Sequence, residues 1–149
     1  MILPLYDIDL ESVAANHRRR LRLDQVIAIG IQLLDRLEAF HMLGFVHGDL
    51  KPQNIMCTNN KSNNLLYLID YGLTVNYMKP QDHKLEFKGT PYFASNNMLM
   101  RGNLGPRDDI EALIYLLIYL TLGKLPWPQN LPVMSDEMQD HLELQRVVH

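Results

Sequence analysis

An acid, a lysine and an amide fall within six residues of one polar loop, His47-Gly48-Asp49-Leu50-Lys51-Pro52-Gln53-Asn54. A second acid follows sixteen residues on, at the turn Asp70-Tyr71-Gly72. Such a set suits phosphoryl transfer, where catalysis is mostly positioning and charge neutralisation. Asp49 would accept or orient the proton of an attacking hydroxyl, and Lys51 would neutralise phosphate charge. Asn54 and Asp70 would hold magnesium, which takes oxygen ligands and usually shares them with substrate phosphates. A lone H-x-D is common and usually means a capped turn or a satisfied histidine. Five side chains agreeing in type and order form a much more specific signal.

The elements around the loop must place these groups. Asp7 to about Asn16 is weakly helical, with Ile8, Leu10 and Val13 apolar, and residues 2 to 5 read as a short apolar strand end. His17-Arg18-Arg19-Arg20 and Arg22 form a basic run, read as a solvated helix end and loop in preference to a docking patch for acidic partners. Asp24 is expected to cap a long helix running to about Leu43. Val26, Ile29, Leu33, Leu34, Leu37 and Phe40 would make its buried stripe, with Gly44 as its stop. Ile55-Met56-Cys57 and Leu65 to Ile69 read as two strands joined by an asparagine-rich turn. That hairpin would bring Asn54 and Asp70 side by side, so that they could share a metal. Residues 73 to 93 lack periodicity and read as a long irregular segment. A second helix is expected from about Arg107 to Leu122. It is apolar nearly all round and hence central and buried, with Asp108 and Asp109 near its positive end. Leu125-Pro126-Trp127-Pro128 is a rigid turn with an aromatic anchor, and Ser135 would cap a last helix through about Val147.

Composition bounds the function classes. The chain has 149 residues, 47% hydrophobic and 21% charged, which is ordinary for one globular domain with a real core. A net charge of -3 supplies no global basic field to recruit nucleic acid or membrane. The longest apolar stretch, Ile110 to Leu122, contains Glu111 and is too short to span a bilayer. The single cysteine, Cys57, excludes an internal disulfide and reads as a small buried residue. Met1-Ile2-Leu3-Pro4 has neither a charged n-region nor a long apolar run, so a signal peptide is not expected and a reducing compartment, cytoplasm or nucleus, is.

On these residues the chain resembles the larger lobe of a eukaryotic protein kinase of the casein kinase 1 group, from about Met1 to Trp127. His47-x-Asp49-x-Lys51-x-x-Asn54 and Asp70-Tyr71-Gly72 are generic kinase parts. Ala94-Ser95-Asn96-Asn97, Arg107-Asp108-Asp109-Ile110-Glu111 and Leu125-Pro126-Trp127 look like that group, while Gly48 and Tyr71 look more like its vaccinia-related branch. The resemblance implies a mainly α fold with a small β hairpin, the C-terminal lobe of the α+β kinase-like fold. Residues 1–149 would then be a partial kinase domain, hinge plus large lobe, with the small lobe and the last helices absent. It implies ATP and magnesium as cofactors, protein substrates, and a monomer if folded. Asp49 would be the catalytic base and Lys51 would contact the transferred phosphate. Thr90 would bond Asp49 and Lys51 and mark a serine/threonine kinase. Asp109 would brace the catalytic loop. Met56 and Ile69 would line the adenine pocket, with Leu3 at the hinge.

Departures from the family pattern matter equally. Gly48 stands where most kinases have an arginine that pairs with an activation-loop phosphate, so no such switch is expected. Tyr92 stands where casein kinase 1 enzymes have an arginine that helps bind pre-phosphorylated substrate. The chain contains no G-x-G-x-x-G, and no lysine in a V-A-I-K context precedes the loop. The alternative to an enzyme is therefore a lobe-only pseudokinase acting as a binding or scaffold module. A metal-dependent hydrolase built on His47 and Asp49 would need further ligands. His41, His83 and His141 lack ligand-like spacing to that loop and read as surface or capping histidines.

Overall fold

The computed structural model describes residues 8–17, 20–58, 64–80 and 88–129. Leu3, His83, His141, part of the basic run and the helix expected from Ser135 lie outside them. Within them, β1 (Ile8–Asp9) leads into α1 (Leu10–Asn16) and then α2 (Leu23–Met42). After α2 come β2 (Phe45–Val46), β3 (Ile55–Cys57), β4 (Leu66–Leu68) and β5 (Val75–Asn76), then α3 (Asn96–Leu99) and α4 (Pro106–Leu122). The fold is mainly helical with short antiparallel strands. No helix among the described residues is long and apolar enough to cross a membrane.

Helix α2 forms where its periodicity predicts, but its start and its stripe differ from expectation. Arg22 is the N-cap; its N–H donates to Gln25 Oε1 at 3.0 Å. Asp24 sits in the first turn and accepts from the Arg22 guanidinium at 2.9 Å, so it offsets the positive helix end without capping it. The buried line runs through Val26, Gly30, Leu33 and Leu37, while Leu34 is 47% exposed. A helix turns about 100° per residue, so Leu34 stands off the line that Leu33 occupies. Gly30 belongs to that line because it lets α4 approach: a Cβ there would lie 3.1 Å from Leu117 Cδ1. Gly44 ends the helix at φ +85, with its N–H on His41 O at 2.9 Å.

The hairpin forms as the alternation suggests, with Ile55 opposite Leu68 and Cys57 opposite Leu66. Its outer partner, β1, pairs with β3, and β5 pairs with β2 inside the segment expected to be irregular. Two-residue strands carry no alternation to read, so neither was foreseen.

Helix α4 crosses α2 and fills the centre with Ala112, Leu113, Leu116, Tyr119 and Leu120. Its burial is one-sided, since Ile114 and Leu122 are each about half exposed. Asp108 and Asp109 are buried at 1% exposure, which a role as dipole partners alone does not explain. Asp108 accepts from Ser95 Oγ at 2.6 Å, Asn97 Nδ2 at 3.0 Å and Gly105 N–H at 2.8 Å, and so fastens α3 to the start of α4. The Leu125–Trp127 turn is anchored as expected: Trp127 Nε1 donates to Tyr92 O at 3.0 Å, and Leu125 N–H donates to the Tyr92 hydroxyl at 2.8 Å. Tyr92 is therefore a buried structural residue.

Cys57 is partly buried beside Asp9, and burial first, then the Asp9 charge, pushes its thiol up to about 11. The thiolate is the reactive form, so alkylation of native Cys57 at pH 8 should be at least tenfold slower than in denaturant. Because the folded value lies above the unfolded one near 9, native stability is full below pH 9. It should fall as pH rises from 9 to 11. Equal alkylation rates with and without denaturant would contradict the placement of Cys57.

Candidate active site

The polar loop is held from behind by α4. Asp109 Oδ2 accepts the His47 N–H at 2.8 Å and Oδ1 accepts the Gly48 N–H at 3.0 Å. Two successive main-chain donors on one carboxylate fix the loop's course just before Asp49. Gly48 takes φ +78, and a Cβ there would meet Leu73 O at 2.8 Å. The position favours glycine, since any side chain there would be strained and would crowd the Leu73 carbonyl. Gly48→Ala should cost about 1–3 kcal/mol in denaturant unfolding, from left-handed strain and that close approach. An unchanged midpoint would show that the loop can bend another way.

The His47 ring is turned inward, fully buried and packed 5.5 Å from the Tyr71 ring. Its Nδ1 accepts the Asp49 N–H at 3.3 Å, so Nε2 carries the hydrogen and donates to Ile69 O at 3.0 Å. With both nitrogens committed to main chain, His47 is not placed as a metal ligand. Among the described residues, no three His, Cys, Asp or Glu side chains stand together as a metal-binding group.

Asp49 is the centre of a compact polar cluster and is 8% exposed. Its Oδ1 accepts the Thr90 N–H at 3.0 Å. Its Oδ2 accepts from Lys51 Nζ at 2.6 Å and Asn54 Nδ2 at 3.0 Å. Lys51 Nζ also donates to Thr90 Oγ1 at 2.9 Å, so one ammonium ties the loop to the segment 39 residues later. A charge-assisted bond of this length holds the carboxylate in one orientation.

Asn54 ends a 3-10 turn over Pro52–Asn54, and its amide nitrogen donates to both Asp49 O at 2.8 Å and Asp49 Oδ2. Both partners are acceptors, so Oδ1 takes no part in these two bonds. The next residue starts β3, and Ile69 N–H donates to Asn54 O at 3.0 Å, immediately before Asp70. Neighbouring strands lie about 4.8 Å apart, so this bond puts Asp70 at the doorstep of Asn54. Asp70 adopts φ +61, uncommon for a side-chain-bearing residue, and is exposed. Its Oδ1 accepts the Gly72 N–H at 3.3 Å. The Tyr71 hydroxyl donates to Leu68 O at 2.9 Å, and its ring packs 5.4 Å from Phe40, which pins the turn after Asp70. The Asn54 amide oxygen and the exposed Asp70 carboxylate would make an all-oxygen donor pair of the kind a hard divalent cation takes.

Sequence-predicted residues thus fall into three sets. Asp49, Lys51, Asn54 and Thr90 are in direct contact, and Asp70 adjoins them through the hairpin. Met56 and Ile69 are partly buried on or beside the central strand pair, and Ile69 contributes main-chain groups to the cluster. Leu3 is outside the described residues. His41, expected at the surface or as a cap, lies 2.8 Å from Asp109 Oδ2 with its side chain 11% exposed. Helical spacing places His41 one residue beyond Phe40 in the last turn of α2, but nothing local names a partner 68 residues away. Against known families, the model described as protein kinase domain matches residues 1–148.

Proposed function

The chain belongs to the protein kinase domain family, and from that premise we propose that it carries the catalytic loop of a serine/threonine kinase of the casein kinase 1 group. The observation that carries this reading is the Lys51 ammonium bridging Asp49 Oδ2 and Thr90 Oγ1, at 2.6 and 2.9 Å. That bridge joins the candidate base to the segment on which a protein substrate would lie, and Thr90 is the residue implied for serine/threonine acceptors.

On this reading Asp49 orients a serine or threonine hydroxyl and receives its proton as the oxygen attacks. Lys51 leans toward the transferred phosphoryl group and offsets its charge. Asn54 and Asp70 would hold magnesium, which would neutralise charge on the nucleotide phosphates. Met56 and Ile69 offer apolar surface to the adenine. The described residues carry the parts expected of the larger lobe of a kinase. They contain no glycine-rich phosphate-covering loop and no V-A-I-K lysine, so the isolated chain should bind ATP weakly and transfer phosphate poorly. Cytoplasmic or nuclear protein substrates complete the reading.

The test is an assay with labelled ATP and magnesium on this chain and on any longer native form that contains it. Transfer to serine or threonine by the longer form, at least a hundredfold above the isolated chain, is expected. Nucleotide binding by a longer form with no transfer would overturn the enzyme reading and leave a binding module.

A further inference from the structure

The outer side of the second half of α2 carries apolar side chains that the core does not take up. Leu34 is 47% exposed and Met42 82% exposed. With Tyr77 and Ile110 they floor an open groove of about 510 Å³, bounded by α2, the start of α4 and the residue after β5. Next to Tyr77, Met78 lies against the Gly44 turn and is 76% exposed. Single exposed apolar residues are ordinary, but a contiguous concave group of them is what partner-binding surfaces show. Methionine side chains, unbranched and polarisable, adapt to varied apolar partners.

One wall of the groove is acidic. Asp35 and Glu38 both line it and both are exposed. Three residues apart on a helix, they are neighbours, with Cβ atoms about 5–6 Å apart. Among the described residues neither carboxylate has a hydrogen-bond or ion-pair partner, and no lysine or arginine lines the groove. His41 closes the inner side, with Nε2 already bonded to Asp109. The groove shares no residue with the Asp49 cluster, so filling it leaves the candidate active site open.

We propose that this groove docks a short basic and apolar segment of a partner protein. Its lysine or arginine side chains would lie on Asp35 and Glu38, and its large apolar side chains against Leu34, Met42, Tyr77 and Ile110. The two unanswered acids select a cationic partner over a purely apolar one. Leu34 to Met42 is about 12 Å along α2, the span of about four extended residues, so a short motif suffices.

The probe is an eight-residue peptide alternating arginine and leucine, titrated into the full chain without nucleotide and followed by NMR. A peptide with glutamate for arginine is the control. Saturable shifts of the Asp35, Glu38, Met42 and Tyr77 amides are expected, with Leu116 in α4 unmoved and no response to the control. Glu38→Lys should weaken binding about tenfold or more, since it replaces an attractive contact by a repulsive one. Asp24→Lys makes the same charge change about 20 Å away on α2 and should leave affinity within about threefold. Equal losses in the two variants would mean that the peptide reads net charge alone, and would overturn the proposal. So would shifts centred elsewhere or no saturable binding. Should Glu38→Lys fail to fold, Glu38→Gln decides in its place: about threefold weaker binding or more supports the proposal, and unchanged affinity overturns it. A second copy in the groove would appear as a concentration-dependent dimer in sedimentation that Glu38→Lys dissolves. A segment of the chain itself in the groove would leave these amides blind to the peptide. Either result overturns the proposal. Binding is read without nucleotide, so its failure and that of the phosphotransfer reading are separately visible.

Discussion

Asp49→Asn is expected to lower kcat of any phosphate-transferring form by about 10²–10⁴, the usual range for removing a positioned general base. The substitution is nearly isosteric, so the backbone should hold. Its amide, however, must offer a hydrogen where Asp49 now only accepts. The Thr90 N–H, Lys51 Nζ and Asn54 Nδ2 all donate to that carboxylate, and an amide nitrogen facing any of them loses a bond. Lys51 would then lie without its 2.6 Å partner and Asn54 would turn, so some weakening of the metal position should accompany the lost base. The check is kcat and KM for ATP beside a thermal melt. Wild-type turnover in Asp49→Asn would remove Asp49 from the mechanism, whatever the rest of the cluster does.

Asp109→Ala is expected to cost about 3–5 kcal/mol of stability, because it strips the partner from donors that stay buried. The His47 and Gly48 N–H groups lose their acceptor, as does His41 Nε2. Water does not readily replace it at a site 1% exposed. For a chain of this size each kcal/mol shifts the midpoint by about 2–4 °C, so a fall of about 10 °C is the expected reading. Asp109→Asn should be milder than alanine, since its amide oxygen still accepts from one loop N–H. A melt of Asp109→Ala within 2 °C of the parent, outside any expected scatter at about 2–4 °C per kcal/mol, would mean that the loop holds itself.

What the sequence made legible was local. The order of Asp49, Lys51 and Asn54 lies within one turn of chain, and alternation in residues 55–57 and 66–68 marks the hairpin that sets Asp70 beside it. The apolar spacing of α2 and α4 marks two helices within a residue or so of their ends. The remainder depends on groups far apart in the chain. His41 has an ordinary place at a helix end, and only packing of α2 on α4 brings Asp109 to it. Asp108 looks like a first-turn acid until Ser95 and Asn97 are folded onto it. Gly30 reads as a weak point in a helix, whereas close approach by Leu117 explains it. Leu34 is as apolar as Leu33, and periodicity alone gave it the same face. Two-residue strands such as β2 and β5 leave no pattern, because their pairing is decided by the turns that deliver them.

The joint use of Asn54 and Asp70 by one cation beside a nucleotide is the claim on which the account turns, and paramagnetic NMR tests it without needing turnover. Manganese(II) in place of magnesium, titrated with ADP at millimolar concentration, should broaden the Asn54 and Asp70 amide signals together, with Lys51 next and Leu116 in α4 unaffected. Broadening should disappear on adding excess magnesium. Broadening of one of the pair without the other, or of residues remote from both, would contradict the shared site and with it the phosphotransfer reading.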